Sequence, residues 1–202
     1  MKLSSKIVLI PVFAGILLSA CSEQKVNQAD AYFERGQYEL AAQTYSENLK
    51  SNPGDVKMIY NRGRAFQEMG NLEQAQADFE KAFEIEPNNT QVLLSLAAIQ
   101  LEQKNFASAL LYATKAEEIA GAPAMASYLK GRSLHGLGMP EDALKAYGTA
   151  IQLDKEFGQA YFTRGMLKVA LERKKQACED FQLATSLEYP GAKDALAKYC
   201  KR

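Results

Sequence analysis

The sequence predicts an all-α protein built from helix pairs that repeat along the chain. Residues that favour helices, such as alanine, leucine, glutamate, glutamine and lysine, are abundant, and tryptophan is absent. The chain also repeats itself every 34 residues without insertion, which is the mark of a repeat architecture. Small and aromatic residues recur at fixed positions of this period, so each repeat is expected to pack in the same way.

Five repeats lie end to end, at residues 22–55, 56–89, 90–123, 124–157 and 158–191. Position 8 is always small, as Ala29, Gly63, Ala97, Gly131 and Gly165. Position 20 is always alanine, as Ala41, Ala75, Ala109, Ala143 and Ala177. Position 24 is mostly aromatic, as Tyr45, Phe79, Ala113, Tyr147 and Phe181. Small residues let the two helices of a repeat approach closely, and the ring fills the space towards the next helix.

Turn residues mark the helix ends. Position 15 carries Gly36, Gly70 and Gly138, and glycine can end a helix in a left-handed conformation. The third and fifth repeats depart from this pattern, with Lys104 and Glu172 at the same position.

This pattern resembles the tetratricopeptide repeat. The resemblance implies a right-handed α-solenoid of five tetratricopeptide helix pairs within residues 21–191, followed by a C-terminal capping helix at 192–202. The predicted cap has one apolar stripe at helical spacing, formed by Ala192, Ala195, Leu196, Tyr199 and Cys200. Such a helix would cover the last repeat, and repeat arrays need a cap of this kind for solubility.

Two cysteines lie near the C-terminus, Cys178 in the second helix of the fifth repeat and Cys200 in the cap. A subset of tetratricopeptide proteins links the last repeat to the cap in this way, and the resemblance implies a Cys178–Cys200 disulfide. The alternative is a pair of buried, reduced thiols. A zinc site is not expected, because there is no CxxC motif and His135 is the only histidine.

Tetratricopeptide domains usually bind partners in a concave groove lined by the first helix of each repeat. The positions that face this groove carry apolar and aromatic residues beside two arginines, namely Tyr60, Arg64, Leu94, Leu101, Tyr128, Arg132 and Phe162. Aromatic residues and arginine dominate the binding energy of interfaces. We therefore expect the groove to hold an apolar or amphipathic segment of a partner protein. The alternative is that the apolar side chains only pack between neighbouring helices.

The N-terminal segment predicts export. Lys2 and Lys6 precede an uncharged run from Ile7 to Leu18, which is too short to span a bilayer and is typical of a signal peptide at residues 1–20. The Leu-Ser-Ala-Cys end resembles the lipobox of bacterial lipoproteins. That resemblance implies cleavage before Cys21, a diacylglycerol thioether on it and an acyl chain such as palmitate on its amine. The alternative is an ordinary signal peptide, with Cys21 a plain thiol.

These features predict a non-enzymatic scaffold in the bacterial cell envelope that is anchored by lipid, with Ser22 favouring the outer membrane facing the periplasm. Related lipoproteins act in secretin or pilus biogenesis, cell-wall assembly and outer-membrane assembly. The alternative is an accessory subunit that docks an envelope enzyme such as a peptidoglycan hydrolase. We expect envelope proteins as partners, and neither a cofactor nor a small-molecule substrate. Nucleic-acid binding is not expected either, because 24 basic residues balance 24 acidic ones.

Overall fold

The computed structural model describes residues 28–200, so the predicted signal peptide and Cys21 lie outside the described residues. Eleven α-helices and no strand occur in this range, which confirms the all-α class. Helix α1 is described over residues 28–34. The others are α2 (Tyr38–Ser51), α3 (Val56–Glu68), α4 (Leu72–Ile85), α5 (Thr90–Glu102), α6 (Phe106–Glu117), α7 (Ala124–Gly136), α8 (Pro140–Leu153), α9 (Gly158–Ala170), α10 (Lys174–Ser186) and α11 (Ala192–Tyr199). None of these helices has the length and apolar character needed to cross a bilayer.

The helices recur with the period of the sequence. Helices α3, α5, α7 and α9 each contain 13 residues, and each begins 34 residues after the previous one. Two of them begin after a side-chain cap. Asp55 accepts a hydrogen bond from the backbone N–H of Met58, and Asn89 accepts one from that of Val92. Such caps satisfy backbone donors that have no partner within the helix.

The first compact unit is Met1–Lys81, described from residue 28. Tyr45 and Phe79, the rings at position 24, are fully buried in it. A Cβ atom on Gly63 would lie 2.7 Å from Cε1 of Phe79. Gly63 therefore lets the ring of Phe79 pack directly on the backbone of α3.

The second compact unit is Ala82–Arg202, described to residue 200. The same contact occurs twice within it. A Cβ atom on Gly131 would lie 2.6 Å from Cδ1 of Tyr147, and one on Gly165 would lie 2.7 Å from Cε1 of Phe181. The pairing of a small residue at position 8 with a ring at position 24 thus explains why both recur in the sequence.

Ion pairs also join the helices, and the sequence analysis did not predict them. In the first unit, Nη2 of Arg62 lies 2.6 Å from Oδ1 of Asp78. In the second unit, Nη2 of Arg164 lies 2.6 Å from Oδ1 of Asp180, and Nζ of Lys168 lies 2.8 Å from Oδ2. Both aspartates are buried, and each accepts two hydrogen bonds from its arginine. An arginine followed sixteen residues later by an aspartate is the sequence signal of this pair.

The turn at position 15 keeps its left-handed conformation even where the sequence departs from glycine. Lys104 has a φ of 62° and Glu172 a φ of 60°, close to the 74° of Gly138. The backbone N–H of Asn105 bonds to the carbonyl of Gln100, and that of Arg173 to the carbonyl of Lys168, which closes both helix ends. The left-handed turn is therefore set by the helix end and is strained at these two residues.

Replacing Lys104 or Glu172 with glycine is expected to stabilise the protein by about 1 kcal/mol each, because glycine adopts this φ without strain. Urea unfolding of the two variants measures the effect. The matched control is Lys155→Gly at an exposed turn position without a positive φ, which should not stabilise. Equal or lower stability of both variants would contradict the strain at position 15.

Helix α11 packs as a cap in the second unit. Its Ala195 lies in a core cluster with Ala177 and Phe181 of α10, against which Leu196 and Tyr199 also pack. A disulfide joins Cys178 to Cys200, with their Cα atoms 5.7 Å apart. The cap is thus attached to α10 by both apolar burial and a covalent bond.

Candidate functional site

Both units contain a cleft, and the two clefts share several positions of the repeat. The unit-1 cleft has a volume of about 410 Å³ and is lined by Asp30, Phe33, Glu34, Tyr38, Tyr45, Asn61 and Arg64. The unit-2 cleft has a volume of about 300 Å³ and is lined by Leu101, Phe106, Arg132, His135, Gly136, Tyr147 and Thr163. Tyr45 and Tyr147 are separated by three repeat periods, as are Asp30 and Arg132, and Asn61 and Thr163.

Tyr128, which was predicted to line the groove, lies in the core. This side chain is only 3% exposed, and its ring centroid lies 5.1 Å from that of Phe157 and 5.8 Å from that of Tyr147. Leu101 is also buried, at 6% exposed, although it forms part of the unit-2 cleft wall. Both side chains pack in the core because the helices of the repeats are close together. This agrees with the alternative interpretation, in which the apolar side chains only pack between neighbouring helices.

The remaining predicted groove residues fall into two groups. Three are half-buried against other apolar side chains: Tyr60 against Phe79, Phe162 against Phe181 and Tyr189, and Leu94 against the core. Arg64 and Arg132 are exposed and each lines a cleft. The two arginines and the clefts are therefore the accessible part of the predicted groove.

The unit-1 cleft contains a satisfied carboxylate. Asp30 Oδ1 accepts hydrogen bonds from the hydroxyl of Tyr45 and from Nδ2 of Asn61, the latter at 3.2 Å. Lys57 Nζ lies 3.6 Å from Asp30 Oδ2. The guanidinium of Arg64 lies 4.5 Å from the ring centroid of Phe33, in cation–π geometry. Asp30 is therefore the acceptor for the donors Tyr45 and Asn61 in this cleft, and its negative charge is paired with Lys57.

The unit-2 cleft has donors without an acceptor. Tyr147 is fully buried, and its hydroxyl has no hydrogen-bond partner within residues 28–200. Arg132 forms no hydrogen bond or ion pair with any residue that the structure describes. The hydroxyl of Thr163 lies 3.3 Å from that of Tyr128. Among the described residues that line this cleft, none carries a carboxylate.

The buried tyrosines of both clefts remain protonated at neutral pH. Burial and a hydrogen bond to Asp30 raise the pKa of Tyr45, while burial and the neighbouring Tyr128 raise the pKa of Tyr147. Burial likewise raises the pKa of Tyr128. Each hydroxyl therefore keeps a proton that it can donate to an acceptor. From the sequence, Tyr147 was predicted only to pack between helices, and Thr163 was not predicted to have a role. The signal in the sequence was that Tyr147, and not a phenylalanine, occupies position 24 of its repeat.

The arrangement is suited to binding an anionic, partly apolar group. Two cationic or polar donors, Arg132 and Tyr147, stand beside the apolar wall of Leu101 and Phe106. His135, the only histidine of the sequence, is exposed at the cleft. Within residues 28–200, no three His, Cys, Asp or Glu side chains come together as metal ligands.

Comparisons with known proteins agree with this architecture. Models of the tetratricopeptide repeat match residues 56–89, 126–157 and 158–189, and a model of the TPR repeat matches residues 29–70. The human protein named "FK506-binding protein-like" is 40% identical to this chain over 70 residues, which is 35% of this chain. This stretch covers only 20% of that protein's length, so the likeness concerns the repeats and not the whole protein.

Solved structures match over most of the chain. MamA residues 41 to the end, from Desulfovibrio magneticus RS-1, is 26% identical with a TM-score of 0.76, over 83% of this chain and 94% of that one. PilW, described as a widely conserved type IV pilus biogenesis factor, is 20% identical with a TM-score of 0.76, over 83% of this chain and 77% of its own. The fold that these structures share and the matches of the repeat models agree, and the chain belongs to the tetratricopeptide repeat family.

Proposed function

We propose that this protein is a lipid-anchored scaffold that assembles protein complexes in the bacterial cell envelope, at the outer membrane and facing the periplasm. The observation that carries the scaffold function is the unit-2 cleft, where exposed Arg132 has no partner beside an apolar wall. Arginine beside aromatic side chains is the composition of interface hot spots. A partner that supplies the missing acceptor would gain affinity there.

The proposed compartment is supported by the Cys178–Cys200 disulfide. Disulfides persist in oxidising compartments such as the bacterial periplasm and are rare in the cytosol. The lipobox-like residues before Cys21 support the same location in the cell envelope. The fold shared with PilW supports a place in pilus biogenesis or a similar assembly, and the scaffold would act close to the membrane because few residues separate Cys21 from α1.

Site-specific photo-crosslinking in cells tests the scaffold function. The probe replaces His135, which is exposed at the unit-2 cleft, and the control probe replaces Leu111, which is 54% exposed on α6 outside the cleft. We expect one discrete protein adduct from position 135 and none of the same mass from position 111. A peptidoglycan hydrolase as the adduct would identify an accessory subunit of an envelope enzyme. Adducts from position 111 alone would contradict the cleft as the binding surface.

Replacing Cys21 with alanine is expected to abolish labelling by radioactive palmitate, because the thioether and the cleavage before it both require the cysteine. Labelled cells and fractionated membranes measure this outcome. The double variant Cys178→Ser/Cys200→Ser is the control and should keep the label, since it leaves Cys21 in place. Palmitate label that persists in Cys21→Ala would contradict lipid anchoring at this residue.

A further inference from the structure

The unit-2 cleft lacks a carboxylate that the unit-1 cleft contains. In unit 1, Asp30 accepts hydrogen bonds from the hydroxyl of Tyr45 and the side-chain amide of Asn61. Three periods later, Tyr147 retains the hydroxyl, but Arg132 occupies the position of Asp30. The second unit has therefore kept the donor and replaced its acceptor with a cation.

A hydroxyl in this state is unfavourable for an isolated protein. Tyr147 is 0% exposed, and its hydroxyl is unpaired in the part of the chain that the structure describes. Leaving a buried donor without a partner destabilises a fold. A phenylalanine would fill the same space, as Phe79 does beside Gly63 and Phe181 beside Gly165. The hydroxyl is thus explained by a group that is absent from the free chain and accepts a hydrogen bond.

We propose that the unit-2 cleft binds the side-chain carboxylate of an aspartate or glutamate of a partner protein, held between the Tyr147 hydroxyl and the Arg132 guanidinium. This inference rests on the proposed scaffold function and names the group that its cleft recognises. The corresponding group in unit 1 is itself a side-chain carboxylate presented by a helix, which is why we assign a side chain rather than a chain terminus. The charges are complementary, since Arg132 lines the cleft and none of the lining residues in the described part of the chain is acidic.

The cleft walls fit such a residue and its neighbour. Thr163, at the position of Asn61, places a second hydroxyl on the wall. Leu101 and Phe106 offer apolar surface to a side chain next to the carboxylate. The Tyr147 hydroxyl is covered in the free chain, so binding requires side chains at the cleft to move.

Capped peptides test this assignment on the full chain in a nonionic detergent. The probes are acetyl-Leu-Glu-Leu-amide, its glutamine analogue acetyl-Leu-Gln-Leu-amide, and acetyl-Leu-Gln-Leu with a free C-terminal carboxylate. Broadening of the peptide proton NMR signals reports binding in every variant. We expect the glutamate peptide to bind at least about tenfold more tightly than either other peptide, because a hydrogen bond to a charged group is stronger than a neutral one.

Tyr147→Phe separates binding from folding, and Tyr45→Phe is its matched control. Removing the unpaired Tyr147 hydroxyl should leave the melting temperature unchanged or higher, while weakening binding of the glutamate peptide about tenfold. Removing the Tyr45 hydroxyl, which bonds Asp30, should lower the melting temperature by about 3 °C and leave peptide binding unchanged. A loss of stability in Tyr147→Phe equal to that in Tyr45→Phe would mean that Tyr147 has an internal partner, and would overturn the proposal.

Arg132→Asp should reproduce the arrangement of unit 1 within unit 2. The new carboxylate is expected to accept the Tyr147 hydroxyl, raise the melting temperature and abolish binding of the glutamate peptide. Arg132→Ala is the control, which should lose the binding without gaining stability. Binding of the glutamate peptide by Arg132→Asp as tight as by the unaltered chain would overturn the proposed site.

Three other outcomes would also overturn the proposal: equal binding of the glutamate and glutamine peptides, preference for the free C-terminal carboxylate, and no saturable binding of the glutamate peptide at millimolar concentration. Failure here is distinguishable from failure of the scaffold function. A protein adduct captured from position 135 in cells, and equally in the Tyr147→Phe background, would leave the scaffold standing and remove the carboxylate site. Absence of a protein adduct from both position 135 and position 111 would remove the scaffold function itself.

Discussion

Replacing Asp180 with alanine is expected to destabilise the protein by about 3 kcal/mol, because it leaves two cations without their acceptor. Asp180 is 2% exposed, accepts two hydrogen bonds from Arg164 and lies 2.8 Å from Lys168 Nζ. Removing one partner of a buried ion pair leaves the other charge poorly solvated in the interior. The side chains of Arg164 and Lys168 are 20% and 13% exposed, so water can recover part of this loss, which places the effect at the lower end of the usual range.

Urea unfolding of Asp180→Ala, followed by circular dichroism, measures this loss as a lower midpoint at an unchanged slope. The matched control is Asp142→Ala, whose carboxylate pairs with exposed Lys145 at 2.9 Å and is itself 46% exposed. Surface ion pairs contribute at most about 1 kcal/mol, so this control should be near neutral. Equal effects of the two variants would show that the buried pair contributes no more than a surface pair.

The period and the helix contacts were predictable because they depend on local spacing. Gly131 stands opposite Tyr147, and Gly165 opposite Phe181, so the small residue and the ring that the sequence repeats are the two halves of one contact. The left-handed turn at position 15 was predictable where glycine occupies it. At Lys104 the same turn persists without glycine, because the hydrogen bonds that close the helix determine the conformation.

The clefts could not be predicted from the same reasoning. Tyr128 has the composition of a groove residue, yet it is buried because Phe157 and Tyr147 close over its ring. Whether an aromatic side chain faces solvent depends on the packing of neighbouring helices, which a repeat position alone does not specify. The Tyr45 hydroxyl has an acceptor and the Tyr147 hydroxyl has none among the described residues, because position 9 is Asp30 in the first repeat and Arg132 in the fourth. The sequence alone does not show that Asp30 accepts this hydrogen bond.

The Cys178–Cys200 disulfide is expected to stabilise the protein by about 3 kcal/mol, since it closes a loop with a sequence separation of 22 residues. In a repeat array each repeat is held only by its neighbours, so the terminal repeat unfolds most readily. Helix α11 has eight residues, too few to be stable as an isolated helix. Attaching its end to α10 therefore keeps the apolar residues Ala195, Leu196 and Tyr199 on the last repeat.

The double variant Cys178→Ser/Cys200→Ser should melt about 6–12 °C lower than the unaltered chain, which is the shift that 3 kcal/mol produces in a protein of this size. Dithiothreitol should lower the melting temperature of the unaltered chain to that of the variant and leave the variant unchanged. Amide exchange should accelerate in α10 and α11 but not in α2 and α3, because the loss concerns the last repeat alone. A variant that melts at the same temperature as the oxidised chain would show that apolar packing by itself holds the cap, and the bond would then serve a purpose other than stability.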